Sequence, residues 1–458
     1  MKDAMNTEIP RTFARSASHA LLGIAYWLGV ATASVVFAGA VLFFVARAAI
    51  RPAPGVWATT VQVGPLPMEV GVASLIWLGT TPWVAQQLQG RTLPSAAGPV
   101  RMGWDEQAQT LTLRCQPCSL HNTSWGTAAL RLPAVDITVH RSGMQLQGSV
   151  TSGAVAATWR GQLTHTSLVL NLDLPPTAVR DGYALFADAI PEVAHAQIDG
   201  TFALRASLSL PSRALVLHPQ LTGMAVQGLG TDQWATAKSG CSKGLPPGLQ
   251  KVNLTARSAL AQAVIAAEDQ RFFEHAGYDL VEVSHALRSN HQRASQATGT
   301  AQPSLRGAST LPQQVAKLLV TGGERSPVRK LRELLYAVEM EQTLGKARIL
   351  RLYLDNAPWG ATVCGAQAAA HTYFGKRADK LTTEEAVWLA AMLHNPALEA
   401  RRWAATGRIN EERAKWVAGS LRKTAGTRLA RSTPCTSCFA KVRWVDTHQG
   451  SLPAADPQ

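Results

Sequence analysis

The chain has 458 residues, 46% of them apolar, and its 44 Lys and Arg outnumber 30 Asp and Glu to give a formal charge of +14. That apolar content excludes a chain too polar to bury a core, and the length predicts more than one domain. The charge favours an anionic partner, whether nucleic acid, an acidic membrane surface or a phosphorylated substrate, without choosing among them.

From Ala20 to Ala46 no residue is charged. A bilayer crossing needs roughly 20 apolar residues, and a cleaved signal peptide has a shorter apolar core of about 7–15. The run therefore predicts an uncleaved transmembrane anchor at 20–46 behind a cytoplasmic N-terminus of residues 1–19. A buried globular helix would not be apolar on every face. Lys2, Arg11 and Arg15 precede the span and Arg47 and Arg51 follow it, so the positive-inside rule votes only weakly for this orientation.

Residues 52–238 form short alternating runs split by Gly, Pro and Ser-Gly turns, as in "LRLPAVDITVHRSGMQLQGSV", which predicts a β-rich domain. It holds no cluster of catalytic residue types and reads as a folded spacer or docking module. The linker 239–251 contains "SGCSKGLPPGL", whose Pro pair and flanking Gly mark a boundary. From 252 to 425 the periodicity is helical, in "SALAQAVIAAEDQRFF", "TLPQQVAKLLV", "RKLRELLYAVEMEQTLG" and "TTEEAVWLAAMLHNP". The polar stretch 289–307 reads as a mobile loop inside this domain, and 426–458 as a tail carrying a Cys pair. The fold class expected is an α+β multidomain protein with an N-terminal transmembrane helix, a β-rich middle domain and a mostly α-helical domain.

The helical domain carries the chemistry. In "AVIAAEDQRFFEHAG" an apolar run ends in Glu268 and Asp269, with Gly277 available as a helix C-cap. On a continuous helix Glu268 and Phe272, four apart, share a face. A carboxylate beside aromatic surface has a raised pKa suited to a general base or acid; the plain alternative is a cap or surface acid. A second carboxylate, Glu333, follows Arg329 by one turn, off a face expected to bury Leu331, Leu334, Leu335 and Val338; the plain alternative is an i,i+4 ion pair. Between them Ser309 or Thr310 can cap a helix whose first turn tolerates Pro312, and Gln313, Gln314 and Lys317 project from it. Arg325, Arg329 and Lys330 follow. Cations at this density suit an anionic leaving group such as pyrophosphate.

These residues, in this order and spacing, resemble the family 51 glycosyltransferases, the peptidoglycan polymerases. The first motif, E-D-x-x-F-x-x-H-x-G, is met by Glu268, Asp269, Phe272, His275 and Gly277. The second is met by Gly307, Ser309, Thr310, Gln313, Gln314 and Lys317, the third by Arg329, Lys330 and Glu333, and the fourth by Lys346, Ile349, Leu350, Tyr353 and Leu354. Ala308, Pro312, Leu318 and Asp355 depart from the pattern. The resemblance covers roughly 252–420 and leaves out the β-rich segment.

The resemblance implies a lysozyme-like helical domain that polymerises lipid II, with inversion and release of undecaprenyl pyrophosphate. Glu268 and Glu333 would be catalytic, Glu268 as the base that deprotonates the acceptor 4-hydroxyl and Glu333 on the donor side. Ser309, Thr310, Gln313, Gln314, Lys317, Arg325, Arg329 and Lys330 would bind substrate. Asp269, Phe272, His275, Gly277, Lys346 and Tyr353 would hold the motifs' shape. No cofactor is assigned; a divalent metal, Mg or Mn, beside the pyrophosphate is compatible with the role of Glu333, and no protein metal ligands are assigned. The partners implied are lipid II, the nascent glycan, the membrane and other cell-wall synthesis proteins, with no nucleic acid. The location implied is the bacterial inner membrane, single-pass, with the catalytic domain on the periplasmic side. The basic stretch 401–431 would sit against anionic headgroups or form a solvated helix face.

Two other readings stay open: a degenerate member serving as a cell-wall scaffold, and a muramidase-like hydrolase. "SLRK" at 420–423 fits the S-x-x-K of penicillin-binding transpeptidases, but too little chain follows it to hold that domain. The six Cys include two C-x-x-C pairs, 115/118 and 435/438. They allow disulfides, a four-thiolate zinc site or free thiols, and one expectation is that the two pairs approach each other and staple the tail to the β-rich domain.

Overall fold

The computed structural model describes residues 33–34, 36–38, 41, 55–63, 66–120, 130–212, 214–236, 241, 252–296, 307–323 and 326–431. Most of the expected anchor, linker and tail, with Arg325, Cys435 and Cys438, lie outside the described residues. Among the described residues no helix is long and apolar enough to cross a membrane.

The first half is built on strands, as the alternation predicts. β1 (Ala58–Val63) and β2 (Leu66–Gly71) form a hairpin, followed by α1 (Val72–Gly79) and α2 (Pro82–Leu88). Then come β3 (Thr92–Ser95), β4 (Gly98–Asp105), β5 (Thr110–Cys115), β6 (Cys118–Leu120), β7 (Leu130–Leu132), β8 (Val135–Ser142), β9 (Gln145–Ser152), β10 (Val155–Leu163) and β11 (Leu168–Ala178). After α3 (Val179–Ala184) the long hairpin β12 (Gln197–Leu210) and β13 (Ala214–Gln227) completes a nine-stranded antiparallel sheet, in the order β13-β12-β11-β10-β9-β8-β5-β4-β3. Only β5 and β8 are neighbours out of sequence, because the β6–β7 hairpin leaves the sheet between them. In β10, Ala157, Gly161 and Leu163 are buried while Ala156, Thr158, Arg160 and Gln162 are exposed, the period-2 pattern of a strand with one covered face.

The second half is helical: α4 (Ala259–Glu268), α5 (Leu280–Gln296), α6 (Leu311–Ala316), α7 (Pro327–Thr343), α8 (Gly345–Asn356), α9 (Ala366–Phe374), α10 (Thr383–Met392), α11 (Pro396–Thr406) and α12 (Glu411–Arg431). A π-turn over Lys317–Thr321 extends α6. α4 is the central helix. Leu260, Ala261, Ala263, Val264, Ile265, Ala266 and Ala267 are all buried, which requires neighbours on every side; α10 and α12 pack against it.

Three expectations change. α4 ends at Glu268, with Asp269 as its C-cap residue, so Glu268 and Phe272 do not share a helix face. Gly277 lies well beyond that end at φ +94, not at a C-cap. Its missing side chain is required by packing: a Cβ there would stand 2.7 Å from the Ala337 carbonyl oxygen of α7. The polar stretch from 289 is helical as far as Gln296, because α5 continues through it, and 297–306 lie outside the described residues.

The sheet domain does not stand apart from the helices. Val179, Tyr183, Ile190, Ile198, Met224 and Val226 form one core with Leu335 and Val338 of α7. α7 is therefore buried on two sides, since its Tyr336 and Met340 belong to the helical domain's own core. This corrects the simple amphipathic reading: Glu333 is fully buried, while Leu331 and Leu334 are only half-buried.

Candidate active site

Glu268 is the last residue of α4, where an apolar helix packed on α10 and α12 runs out. Its side chain is 13% exposed. Oε2 accepts a hydrogen bond from Gln314 Nε2 at 3.1 Å, and the Tyr353 hydroxyl donates to Gln314 Oε1 at 3.2 Å, which fixes the amide's orientation. Oε1 is buried and has no hydrogen-bond donor among the described residues. The nearest cation is the Arg413 guanidinium, whose Nη2 lies 3.8 Å from Oε1. Burial pushes the carboxyl above the usual glutamate range, against the Gln314 hydrogen bond and the charges of Arg413 and His394. A carboxylate with one tethered oxygen, one bare oxygen and a raised pKa is equipped to take a proton near neutral pH.

The loop after Glu268 is held by its own motif. His275 Nε2 lies 3.0 and 2.9 Å from the two Asp269 oxygens, and the Gly277 amide donates to His275 Nδ1 at 3.2 Å. With Nδ1 accepting, Nε2 carries the proton and donates to Asp269. Asp269 Oδ2 also accepts from the Leu311 amide at 2.8 Å. Lys346 Nζ donates to the His275 carbonyl at 2.5 Å and to Glu341 at 2.6 Å, and sits 4.7 Å from the centroid of the fully buried Phe272 ring. Asp269, Phe272, His275, Gly277 and Lys346 thus form the frame on which Glu268 rests.

Thr310 begins α6 through a capping box with Gln313, and its hydroxyl also donates to the Gly277 carbonyl at 2.6 Å. Thr310 is 2% exposed. Both residues, expected to bind substrate, use these polar groups to cap α6 and tie it to the Glu268 loop. Pro312, buried in the first turn of α6, costs no hydrogen bond. Asp355, another departure from the motif, pairs with Arg351 of the same helix at 2.8 Å.

Glu333, 0% exposed, receives Arg329 Nη1 on Oε1 and Lys330 Nζ on Oε2, the latter at 2.6 Å. Lys330 Nζ also donates to Ser309 Oγ at 2.6 Å. Burial holds the Lys330 ammonium below the usual lysine range, helped by the charges of Arg329 and of Lys317, which is exposed at the end of α6. Ser309, Lys317, Arg329 and Lys330 therefore lie together, and the segment Ser309–Gln314 joins them to Glu268. A protein-held metal does not fit here: both Glu333 oxygens are committed to cations, and among the described residues no three His, Cys, Asp or Glu side chains are grouped as ligands. Glu333 instead holds the cations in place.

Arg413 and His394 escaped the sequence reading. Arg413 belongs to the basic stretch assigned to headgroups or solvent, yet its Nη2 donates to the Ala267 carbonyl at 3.1 Å and its guanidinium stacks 4.1 Å from the Trp416 ring centroid. Its spacing to Trp416, one turn of α12, was the available signal. Ser420 of "SLRK" is buried and accepts from Gln270 Nε2 at 3.2 Å, as a structural residue. The cysteines pair as Cys115–Cys118 and Cys241–Cys364. A four-thiolate zinc site or a disulfide staple through Cys115 and Cys118 is thereby overturned, because those thiols are bonded to each other.

A buried carboxylate joined to fixed cations by one helix is an arrangement suited to moving a group off an anionic leaving group. Residues 251–422 match the family described as Transglycosylase. Over 170 residues the chain is 41% identical to the biosynthetic peptidoglycan transglycosylase of Stutzerimonas stutzeri and 40% identical to that of Pseudomonas aeruginosa, covering 37% of this chain and 65% and 68% of theirs. A third, from Aeromonas hydrophila, is 47% identical over 137 residues, 30% of this chain and 54% of its own. The chain spans about two thirds of the length of the first two relatives, and it belongs to the transglycosylase family.

Proposed function

We propose that the protein is a peptidoglycan glycosyltransferase that polymerises lipid II by inverting transfer. The observation that carries this reading is the bare, buried Oε1 of Glu268, linked through the segment Ser309–Gln314 to a cation group held by Glu333. Glu268 removes the proton of the acceptor 4-hydroxyl as that oxygen bonds to C1 of the donor sugar. The C1–O bond to the pyrophosphate breaks in the same displacement, and its electron pair leaves on the undecaprenyl pyrophosphate. Lys317, Arg329, Lys330 and Ser309 receive that charge, which is present in the ground state and grows in the transition state. Gln314 orients the base rather than the sugar. Arg325, outside the described residues, is assigned to the donor side by the motif resemblance alone.

The anchor reading belongs to this proposal. An uncharged run at 20–46 would hold the enzyme at the bilayer surface where a polyprenyl substrate resides, with the rest of the chain on the periplasmic side. Two disulfides favour such an oxidising compartment. Supplying the purified full chain with labelled lipid II tests the activity, polymer being the expected product. Glu268→Gln, which keeps size but cannot accept the proton, lowers the rate by about 10²–10⁴ above the acid limb, and the deficit shrinks as pH falls through that limb. A folded Glu268→Gln protein that polymerises at the parent rate overturns the assignment.

A further inference from the structure

We propose that the β-rich domain positions the donor-side cations by clamping α7 through the pair Glu192–Arg332, a role that rests on the transglycosylase reading above. α7 presents two sides at its N-terminal half. One holds Arg329, Lys330 and Glu333; the other faces the sheet domain. Arg332, between Lys330 and Glu333 in the chain, points to the sheet side and makes a forked contact with Glu192, at 2.9 and 3.0 Å from Nε and 2.7 Å from Nη2. Glu192 is 2% exposed, in the 3-10 turn Pro191–Ala194 that follows α3. Tyr336, one turn further along α7, lies near the same carboxylate. A two-pronged guanidinium–carboxylate contact fixes direction as well as distance, so it sets the rotation of α7 about its own axis, and with it the azimuth of its neighbours Lys330 and Glu333.

The clamp continues along the helix. The Tyr183 hydroxyl of α3 donates to the Leu331 carbonyl at 3.0 Å. Glu339 accepts from the amides of Leu229 and Thr231 at 2.8 and 3.3 Å, and Thr231 and Thr343 hydroxyls meet at 2.8 Å. Leu335 and Val338 complete the apolar contact. Every partner on the sheet side, from Tyr183 to Thr231, precedes residue 251, where the transglycosylase match begins. The helix that carries Arg329 and Lys330 is thus held on its other side from outside the matched region.

The test compares Glu192→Gln, Arg332→Met and the double variant in the full chain, using lipid II polymerisation and inhibition by inorganic pyrophosphate. Each single variant raises KM for lipid II and weakens pyrophosphate inhibition roughly ten- to a hundredfold, the scale of a small misplacement of binding groups. The double variant is no worse than the worse single, because both delete one contact. The acid limb set by Glu268 stays where it is. Unchanged KM, or a loss confined to kcat with pyrophosphate inhibition intact, overturns the clamp. If the parent makes no polymer, the transglycosylase reading fails by itself, and amide hydrogen exchange over 327–335 decides the clamp: faster exchange in Glu192→Gln supports it, equal rates refute it.

Discussion

Replacing Gln314 with leucine removes the one hydrogen bond that Glu268 receives among the described residues, on Oε2 at 3.1 Å, without touching the carboxylate. That bond favours the ionised form against a burial that pushes the pKa up. A hydrogen bond to a charged group contributes roughly 1.5–3 kcal/mol, and 3.1 Å is longer than the usual charge-assisted distance of about 2.7–2.9 Å, so the lower half of that range applies. At about 1.4 kcal/mol per factor of ten, roughly ten- to fortyfold less of the base is ionised on the acid side. The assay is the initial rate of lipid II polymerisation against pH. kcat/KM of Gln314→Leu falls by that factor at low pH, and the deficit closes as pH rises through the limb, because a base lacking its donor still ionises at higher pH. Tyr353→Phe, which only frees the amide to rotate, gives a smaller change of the same sign. A loss equal at every pH refutes the reasoning and makes Gln314 a substrate contact; no loss at any pH refutes the role of Glu268 as base.

Three further outcomes follow from the same geometry. Glu268, buried with a raised pKa, stabilises the fold most when protonated, and that contribution is lost as pH rises through its folded value. Denaturant melts at acid and neutral pH therefore show Glu268→Gln gaining stability over the parent as pH rises; a gap that shrinks refutes this. Lys330, held below the usual lysine range by burial, loses its charge early on the alkaline side, so Lys330→Arg carries the alkaline limb of the pH–rate profile upward, and an unmoved limb assigns it to another group. Gly277→Ala meets both a positive φ and the Ala337 carbonyl at 2.7 Å; it lowers stability by about 2–5 kcal/mol in denaturant melts, and a cost under about 1 kcal/mol means that the close approach to α7 is not real.

Periodicity and spacing were enough for the β-then-helical order of the chain and for the identity of the chemical groups, because both are local properties. Alternation in β10 needs only a half-covered strand, and the Thr310 capping box needs only residues three apart. The motif spacings named Glu268, Gln314, Lys330 and Glu333 for the same reason. Which polar side chain meets substrate and which meets protein was not local. Gln313 fits a binding motif in sequence, yet its amide closes the α6 terminus on Thr310, and only the tertiary structure carries the Thr310 hydroxyl to the Gly277 carbonyl.

Glu333 read as lying off the buried face of its helix because a single amphipathic face was assumed. It is buried because α7 lies between two cores, one from each domain. Arg413 read as part of a basic surface because composition cannot say which member of a charge run turns inward; only the packing of α12 on α4 brings it to the Ala267 carbonyl. Glu192 carried no signal at all, since its partner Arg332 is 140 residues away. The sequence by itself determined the residue types of the site and the elements that carry them, through interactions within a turn or a strand pair. The tertiary structure alone decided their burial, their pairing and the domain that holds them, because those depend on contacts whose two ends are distant in the chain.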